Sequence, residues 1–239
     1  MNITAIKTHK ITPKDKDIFK ILDRYLPAGK AGLPKLKEKS VIAIASKIVS
    51  ICGGRVVKIG SIGKDELIAQ EAQYFLPRKQ NKWHVALTIA RDTLVVTAGI
   101  DESNGDGYYI LWPKDPQKSA NKIREHLVKR FKLKHIGVLI TDSKTSPLRW
   151  GVTGFALAHS GFAAIKNYIG KKDIFGRKLE YTKLNIADSL AASAVLAMGE
   201  GNEQTPLSII SDVPFVQFQD KDPTKREIEE LKIDIEDDG

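Results

Sequence analysis

The chain has 239 residues, 42% of them hydrophobic and 28% charged, which is enough for a packed core in one large or two small domains. A single cysteine, Cys52, excludes an internal disulfide and a cysteine-based zinc cluster, and because no signal-like or membrane-spanning apolar run is present we expect a cytoplasmic protein. The net charge of +9 is dispersed and no nucleic-acid-binding motif occurs, so anionic small substrates are favoured over nucleic acid or membranes.

Strand-like and helical patterns follow one another along the chain. Apolar runs typical of strands lie at 40–46, 92–100, 108–112, 135–142 and 206–211, and helical periodicity lies at 15–26, 64–76, 115–131 and 186–198. The order does not follow a strict βαβ repeat, so we expect a mixed α/β (α+β) fold. We expect a single unit over 1–220, with two subdomains as an alternative, followed by a charged helix and tail over 221–239.

The stretch "TAGIDESNGDGYY" at 97–109 has two compatible interpretations. Asn104 and Gly105 are typical of a hairpin turn, and the flanking runs "TLVVTAGI" and "YYILW" would be its two strands. Alternatively, Asp101 and its polar neighbours form a cation or phosphate site where an apolar strand ends.

A second acidic strand end is "VLITDSKTSPLRWG", in which Asp142 and Ser143 follow an apolar run and Arg149 lies in the loop beyond them. A carboxylate beside a hydroxyl suits Mg²⁺ or Mn²⁺, because these hard cations prefer oxygen ligands and phosphate oxygens. The alternative is an aspartate that caps a turn.

Two further segments add basic and acidic groups. Ser46 and Lys47 follow the apolar run "SVIAIA", and Lys47 and Arg55 could bind phosphates, although no Walker A motif is present. A surface lysine beside a Gly-Gly turn explains the same residues equally well. The loop "MGEGNEQTP" carries Glu200 and Glu203, which could meet a cation or belong to an ordinary helix end. Together the four segments predict a metal–phosphate site of the kind that phosphoryl transfer requires.

Several motifs in one order resemble the coenzyme F-420 γ-glutamyl ligase family, whose members add glutamate to the deazaflavin coenzyme F-420. "SKIVSICGGRVV" resembles the family's "QKIVSKAEGRVV", and "TAGIDESN" resembles "NAGIDRSN". "WPKDPQKSANKIR" is similar to "LPEDPDASARRIR", and "TDSKTSPLRWG" to "SDTFGRPWREG". "ADSLAASAVLAMGEGNEQTPLSII" is similar to "ADELAAAAELVMGKADGIPVAIV". The resemblance covers nearly the whole chain.

The resemblance implies a set of metal ligands. Asp101, Asp142, Ser143 and Glu200 take the positions that hold Mg²⁺ or Mn²⁺ in the family, and K⁺ is a further cation to consider. Asp101 and Asp142 would also be catalytic, together with Arg149.

The resemblance also implies a GTP site. Ser46, Lys47 and Asn104 match positions that contact the nucleotide, and Asn202 lies in the loop that surrounds it. Arg55 is added to this set as a phosphate-binding side chain.

The implied reaction is formation of an amide. GTP phosphorylates an acceptor carboxylate, and the amine of L-glutamate displaces the phosphate. The implied assembly is an intertwined homodimer with its sites near the subunit interface. Ile51 replaces a family lysine and the 143–148 segment is altered, so two alternatives remain: a ligase of the same fold that uses another acceptor, or a catalytically silent nucleotide-binding homologue.

Overall fold

The computed structural model describes residues 1–26, 36–80, 82, 84–223 and 227. The mixed α/β fold that the sequence predicts is confirmed. The described strands are β1 (Asn2–Ile6), β2 (Ser40–Ala45), β3 (Val56–Lys58), β4 (Tyr74–Leu76), β5 (Leu87–Ala90), β6 (Thr93–Val96), β7 (Tyr108–Ile110), β8 (Ile136–Thr145), β9 (Val152–Ser160), β10 (Ile165–Asn167), β11 (Lys183–Asn185) and β12 (Leu207–Ser211). The described helices are α1 (Ile18–Tyr25), α2 (Ser46–Cys52), α3 (Lys64–Glu71), α4 (Pro116–Phe131) and α5 (Ile186–Met198). None of them is long and apolar enough to cross a membrane.

A five-stranded sheet in the order β1-β12-β2-β8-β9 forms the centre of the molecule. β2 and β8 are parallel and pair from Ser40 and Ile136 to Ala45 and Thr141. The other neighbouring pairs are antiparallel. β12, the last described strand in the chain, lies between β1 and β2. Because β2 and β8 run in the same direction, their carboxyl ends meet at one edge of the sheet.

Each face of this sheet is covered by a helix whose sequence matches that face. On one face α4 buries Ala120, Ile123 and Leu127, three residues at helical spacing. On the other face the alanine-rich α5 packs closely on β9. A Cβ atom on Gly154 would lie 2.7 Å from the Ala191 carbonyl oxygen, so only glycine permits this approach.

A second, smaller core lies beside the central sheet. It is built from the three-stranded sheet β4-β5-β6 and from α3, and it includes the buried side chains of Trp112 and Phe155. β10 and β11 form a separate two-stranded arm, and β3 pairs with β7.

Two predicted elements end well before their sequence patterns do. The helix predicted over 64–76 ends at Glu71, because Tyr74–Leu76 form β4 and pair with β5. The strand predicted over 92–100 stops at Val96, because Thr97, Ala98 and Gly99 all have positive φ and turn the chain.

The predicted hairpin between "TLVVTAGI" and "YYILW" is wrong. β6 pairs with β5 and β7 pairs with β3, and the strand pairing near this turn is a single bridge between Asp101 and Ile110. The turn at Asn104, whose φ is +55°, therefore exists without a hairpin ladder.

The charged helix and tail predicted over 221–239 lie outside the described residues, apart from 221–223 and 227. Within that part, Asp222 is held against the main body. Its carboxylate accepts a hydrogen bond from Ser160 Oγ at 2.5 Å and lies 3.4 Å from Arg124 Nη1.

Candidate active site

A cavity of about 580 Å³ opens where the parallel pairing of β2 and β8 ends at Ala45 and Thr141. Three loop segments, 8–12, 101–106 and 199–206, surround it. Eight of the ten residues proposed from sequence line this cavity: Ser46, Lys47, Asp101, Asn104, Asp142, Ser143, Glu200 and Asn202.

Asp142 lies on β8 just beyond a register shift at Ile140 and Thr141, the kind of bulge that redirects side chains beside functional sites. Its Oδ1 accepts the Ser143 backbone N–H at 2.7 Å, and its Oδ2 accepts the Ser46 hydroxyl at 2.9 Å. Burial raises the pKa of this carboxyl to about 6, despite these donors. A negative charge at this position is therefore costly until a cation or further donors compensate it.

Asp101 has the opposite electrostatic environment. Lys47 Nζ lies 2.7 Å from Asp101 Oδ2, and the Ser103 backbone N–H donates to Asp101 Oδ1 at 2.7 Å. Burial opposes ionisation, but the Lys47 charge and these hydrogen bonds outweigh it, so the pKa of Asp101 is below its ordinary value. Lys47 also donates to the Ser103 carbonyl at 2.9 Å, so it fixes the 101–106 loop.

The 199–206 loop is joined to both acidic segments. Ser143 Oγ donates to Glu200 Oε2 at 3.2 Å, and Asn104 Nδ2 donates to the Gly201 carbonyl at 3.0 Å. Glu203 turns back into its own loop and accepts the Gly201 N–H at 2.8 Å. Glu200 is thus the acidic side chain of this loop that contacts Ser143.

Two predicted residues do not line the cavity. Arg55 forms an ion pair with Glu71 at 2.5 Å and donates from Nε to the Trp112 carbonyl at 3.0 Å, so it lies behind the cavity wall. Arg149 lies in the exposed turn between β8 and β9, where its guanidinium packs 4.8 Å from the centre of the Trp150 ring. Neither side chain is hydrogen-bonded to Asp142 itself.

Trp112 is a functional candidate that the sequence analysis missed. Its indole N–H donates to Asp142 Oδ2, and its side chain is buried in the second core. The sequence places one indole after an apolar run, a pattern that indicates packing, and no local signal reveals the distant aspartate.

The donor set suits a hard cation. Two carboxylates and a hydroxyl (Asp101, Asp142 and Ser143) line one cavity, and oxygen ligands of this kind are those that Mg²⁺ and Mn²⁺ prefer. In the part of the chain that the structure describes, no three His, Cys, Asp or Glu side chains are already grouped around a single metal position.

Comparison with known proteins identifies the family. The family model described as F420-0:Gamma-glutamyl ligase matches residues 5–212. The chain belongs to this family. The membership confirms the resemblance noted in the sequence and the prediction of a ligase.

Named relatives of this F420-0:gamma-glutamyl ligase family agree with the match. A coenzyme F420:L-glutamate ligase of Methanococcus maripaludis (strain C7) is 36% identical over 201 residues, which cover 77% of this chain and 80% of the relative. Proteins of the same name from Methanopyrus kandleri and Archaeoglobus fulgidus are 33% and 32% identical, over 73% and 74% of this chain and 75% and 76% of their own lengths.

Proposed function

We propose that this protein is a GTP- and metal-dependent ligase that joins L-glutamate, through a γ-linked amide, to the carboxylate of coenzyme F420-0. The family match over 5–212 supports the reaction class. The observation that carries the proposal is the cavity itself. It brings together, from four distant segments, a lysine, two aspartates, two serines and an acidic loop.

The proposed reaction has two balanced steps. A carboxylate oxygen of the acceptor attacks the γ-phosphorus of GTP, the bond to the β-phosphate oxygen breaks, and an acyl phosphate and GDP result. The glutamate amine then attacks the acyl carbon, inorganic phosphate leaves, and the nitrogen loses a proton. Neither step needs a protein nucleophile, so positioning and charge stabilisation account for the catalysis.

Lys47 and Asp101 change partners in this proposal. They neutralise each other in the structure at 2.7 Å. A triphosphate entering the cavity would draw the Lys47 ammonium to its oxygens, and Asp101 would then be available to a divalent cation. Asn104 already bridges to the Gly201 carbonyl, so it can order the 199–206 loop around the nucleotide.

Asp142, Ser143 and Glu200 would hold the cation, with Asp101 completing the protein ligands. A bound Mg²⁺ or Mn²⁺ neutralises the triphosphate and the charge that develops on the transferred phosphoryl group. K⁺ is a further proposed cation, and comparison of product formation with and without added K⁺ tests its effect.

The test is a coupled measurement of nucleotide hydrolysis and product mass. Purified protein is incubated with F420-0, L-glutamate, GTP and Mn²⁺, and we expect GDP and an acceptor heavier by one glutamyl residue. Lys47→Ala should abolish the product. Lys64→Ala is the matched control, because Lys64 also pairs with a carboxylate, has the same 27% side-chain exposure and lies outside the cavity.

The remaining outcomes separate the alternatives. Product with ATP but not GTP would correct the nucleotide. In another outcome, the protein binds the nucleotide and joins glutamate to another carboxylate but leaves F420-0 unchanged. This outcome would favour the ligase with a different acceptor. Metal-dependent nucleotide binding without turnover of any acceptor would favour a silent homologue. Absence of nucleotide binding would contradict the proposal.

A further inference from the structure

We propose that Trp112 is a positioning residue that fixes Asp142 so that a single carboxylate oxygen is presented to the cavity. The inference rests on the proposed function, since it concerns how Asp142 meets a cation or phosphate there. It arises from the hydrogen bonds of Asp142 and from the way in which the indole is held.

The two carboxylate oxygens of Asp142 are unequally occupied. Oδ2 accepts both the Trp112 indole N–H and the Ser46 hydroxyl, the latter at 2.9 Å. Oδ1 accepts the Ser143 backbone N–H at 2.7 Å. An ionised carboxylate oxygen has about two acceptor sites, so Oδ2 is saturated and Oδ1 retains one. Ligation through Oδ1 alone follows from this count.

Trp112 can act as a rigid donor because its own position is fixed on three sides. A Cβ atom on Gly99 would lie 2.2 Å from Trp112 Cε2, so the indole packs directly on the glycine backbone. The Phe155 ring lies on another side, with 6.0 Å between ring centroids. The Trp112 carbonyl accepts from Arg55 Nε at 3.0 Å, and Arg55 is held in turn by Glu71.

This arrangement gives Arg55 a place in the site, although it does not line the cavity. A chain of contacts runs from Glu71 through Arg55 and Trp112 to Asp142. Outer partners of this kind orient a ligand, and their loss typically lowers metal affinity about ten- to hundredfold. The competing interpretation is that Trp112 only fills the second core, since it is 4% exposed.

The hydrogen bond is tested by NMR of ¹⁵N-labelled tryptophan side chains. We expect the Trp112 indole N–H resonance to lie downfield of that of Trp150 and to exchange slowly with water, and Asp142→Asn to move it. Trp112→Phe and Trp150→Phe assign the peaks. If Trp112→Phe does not fold, removing the other two tryptophans assigns the peak by elimination. An indole resonance that is indifferent to Asp142→Asn would overturn the proposal.

The positioning role is tested by Mn²⁺ affinity, measured by EPR of free Mn²⁺ with and without GTP. Phenylalanine keeps an aromatic ring in the core but removes the N–H donor, so Trp112→Phe should weaken Mn²⁺ binding about tenfold. Turnover should show a reduced kcat with little change in the KM for glutamate. Tyr74→Phe, at an exposed aromatic side chain on β4 that does not line the cavity, is the control and should bind Mn²⁺ as the wild type does.

The outcomes distinguish this inference from the proposed function. Equal Mn²⁺ affinity and kcat in folded Trp112→Phe and wild type would reject the positioning role and leave the ligase intact. If wild type itself bound no Mn²⁺, the metal part of the proposed function would fail, and the indole resonance in Asp142→Asn would then decide the role of Trp112.

Discussion

At the scale of single residues, the two aspartates of the cavity have opposite environments. Asp101 is ionised beside Lys47, which lowers its pKa, whereas burial raises the pKa of Asp142 to about 6. The proposed triphosphate site thus contains one carboxylate already paired with a cation and another whose charge is poorly compensated. Substitutions at the two positions should therefore have different effects on the empty protein and the same effect on binding.

The substitution Asp101→Asn distinguishes a role of Asp101 in shaping the turn from a role as a metal ligand. Asparagine serves the local turn as well as aspartate does, but it loses the ion pair with Lys47. Since that pair is partly exposed, we expect a loss of only about 0.5–1 kcal/mol in the free energy of unfolding. Metal-dependent GTP binding should fall at least about tenfold, because a hard cation loses an anionic ligand.

The measurement for Asp101→Asn is a GTP titration with and without Mn²⁺, repeated for Asp142→Asn and for the double variant. The double variant should lose less than the sum of the single losses, because both side chains act on one ligand. Metal-dependent GTP affinity equal to that of the wild type in Asp101→Asn would mean that Asp101 only shapes its loop.

The ionisation of Asp142 should make the free energy of unfolding depend on pH. Its folded-state pKa is raised from 3.8 to about 6 by burial, so the folded protein holds this proton more tightly than the unfolded chain does. The resulting contribution to stability is present below pH 4 and is lost as pH rises to about 6. The lowered pKa of Asp101 acts in the opposite sense, with a contribution that is lost as pH falls through its folded value.

Urea unfolding of the metal-free protein between pH 4 and 7 checks this sign. The free energy of unfolding of Asp142→Asn, relative to wild type, should improve as pH rises from 4 to 6 and then stay constant. A difference that is independent of pH would show that Asp142 ionises in the folded state as easily as in the unfolded chain.

How far the sequence predicted the site depends on the distance between partners. Acidic residues after apolar runs and a Ser-Lys pair after a buried strand are local signals, and eight of the ten proposed residues line the cavity. The orientation of Arg55 toward Glu71 and of Trp112 toward Asp142 depends on contacts between segments far apart in the chain. No local pattern encodes such contacts.

At the scale of secondary-structure elements, segments with a sustained periodicity were predicted well, and segments whose structure depends on pairing with distant strands were not. α4 matches its predicted range almost residue for residue, and α5 matches it fully, because each has a sustained periodicity with a marked end. β9 was not predicted, although it is nine residues long and joins the central sheet, because its glycine, serine and histidine obscure the apolar alternation. The Tyr74–Leu76 segment follows tertiary pairing with β5 instead of its helical pattern.

The close packing of α5 on β9 gives a test of how an element positions the site. Gly154→Ala would force α5 away, because the new Cβ would lie 2.7 Å from both the Ala191 carbonyl oxygen and Val195 Cβ. Overpacking of this kind typically costs about 1–3 kcal/mol. We expect a matching loss in the free energy of unfolding and weaker GTP binding, since α5 leads directly into the loop that carries Glu200.

Gly63→Ala is the control for that substitution. Gly63 precedes α3 with negative φ, and its nearest neighbour to an added Cβ lies at 3.9 Å, so the change should be close to neutral. Thermal unfolding and a GTP titration of both variants provide the comparison. Equal stability of the two variants would show that the interface between α5 and β9 adjusts without strain.

At the scale of the whole molecule, large apolar side chains are exposed in two of the connections between described strands. Leu148 and Trp150 lie at the turn between β8 and β9, and Ile174, Phe175 and Tyr181 lie on the arm formed by β10 and β11. Exposed apolar groups of this size are typical of protein interfaces. They support the proposal, made from the family resemblance, that two chains form an intertwined homodimer.

Light scattering at micromolar concentration tests the assembly. We expect a dimer for the wild type and a shift toward monomer for Ile174→Lys combined with Phe175→Lys, because two charges would be buried in the interface. Circular dichroism should show an unchanged fold, since both side chains lie outside the described cores. A monomeric wild type would argue against the proposed assembly.

The place of β12 between β1 and β2 has a consequence for synthesis on the ribosome. Thr8 N–H donates to the Gln204 carbonyl and Ala45 N–H to the Pro206 carbonyl, both at 2.9 Å, so segments far apart in the chain meet at the wall of the cavity. The central sheet cannot be completed until residue 211 has left the exit tunnel, and loop closure over such a separation slows folding. Until then β1 and β2 each present an unpaired edge, which makes the nascent chain a candidate for chaperone binding.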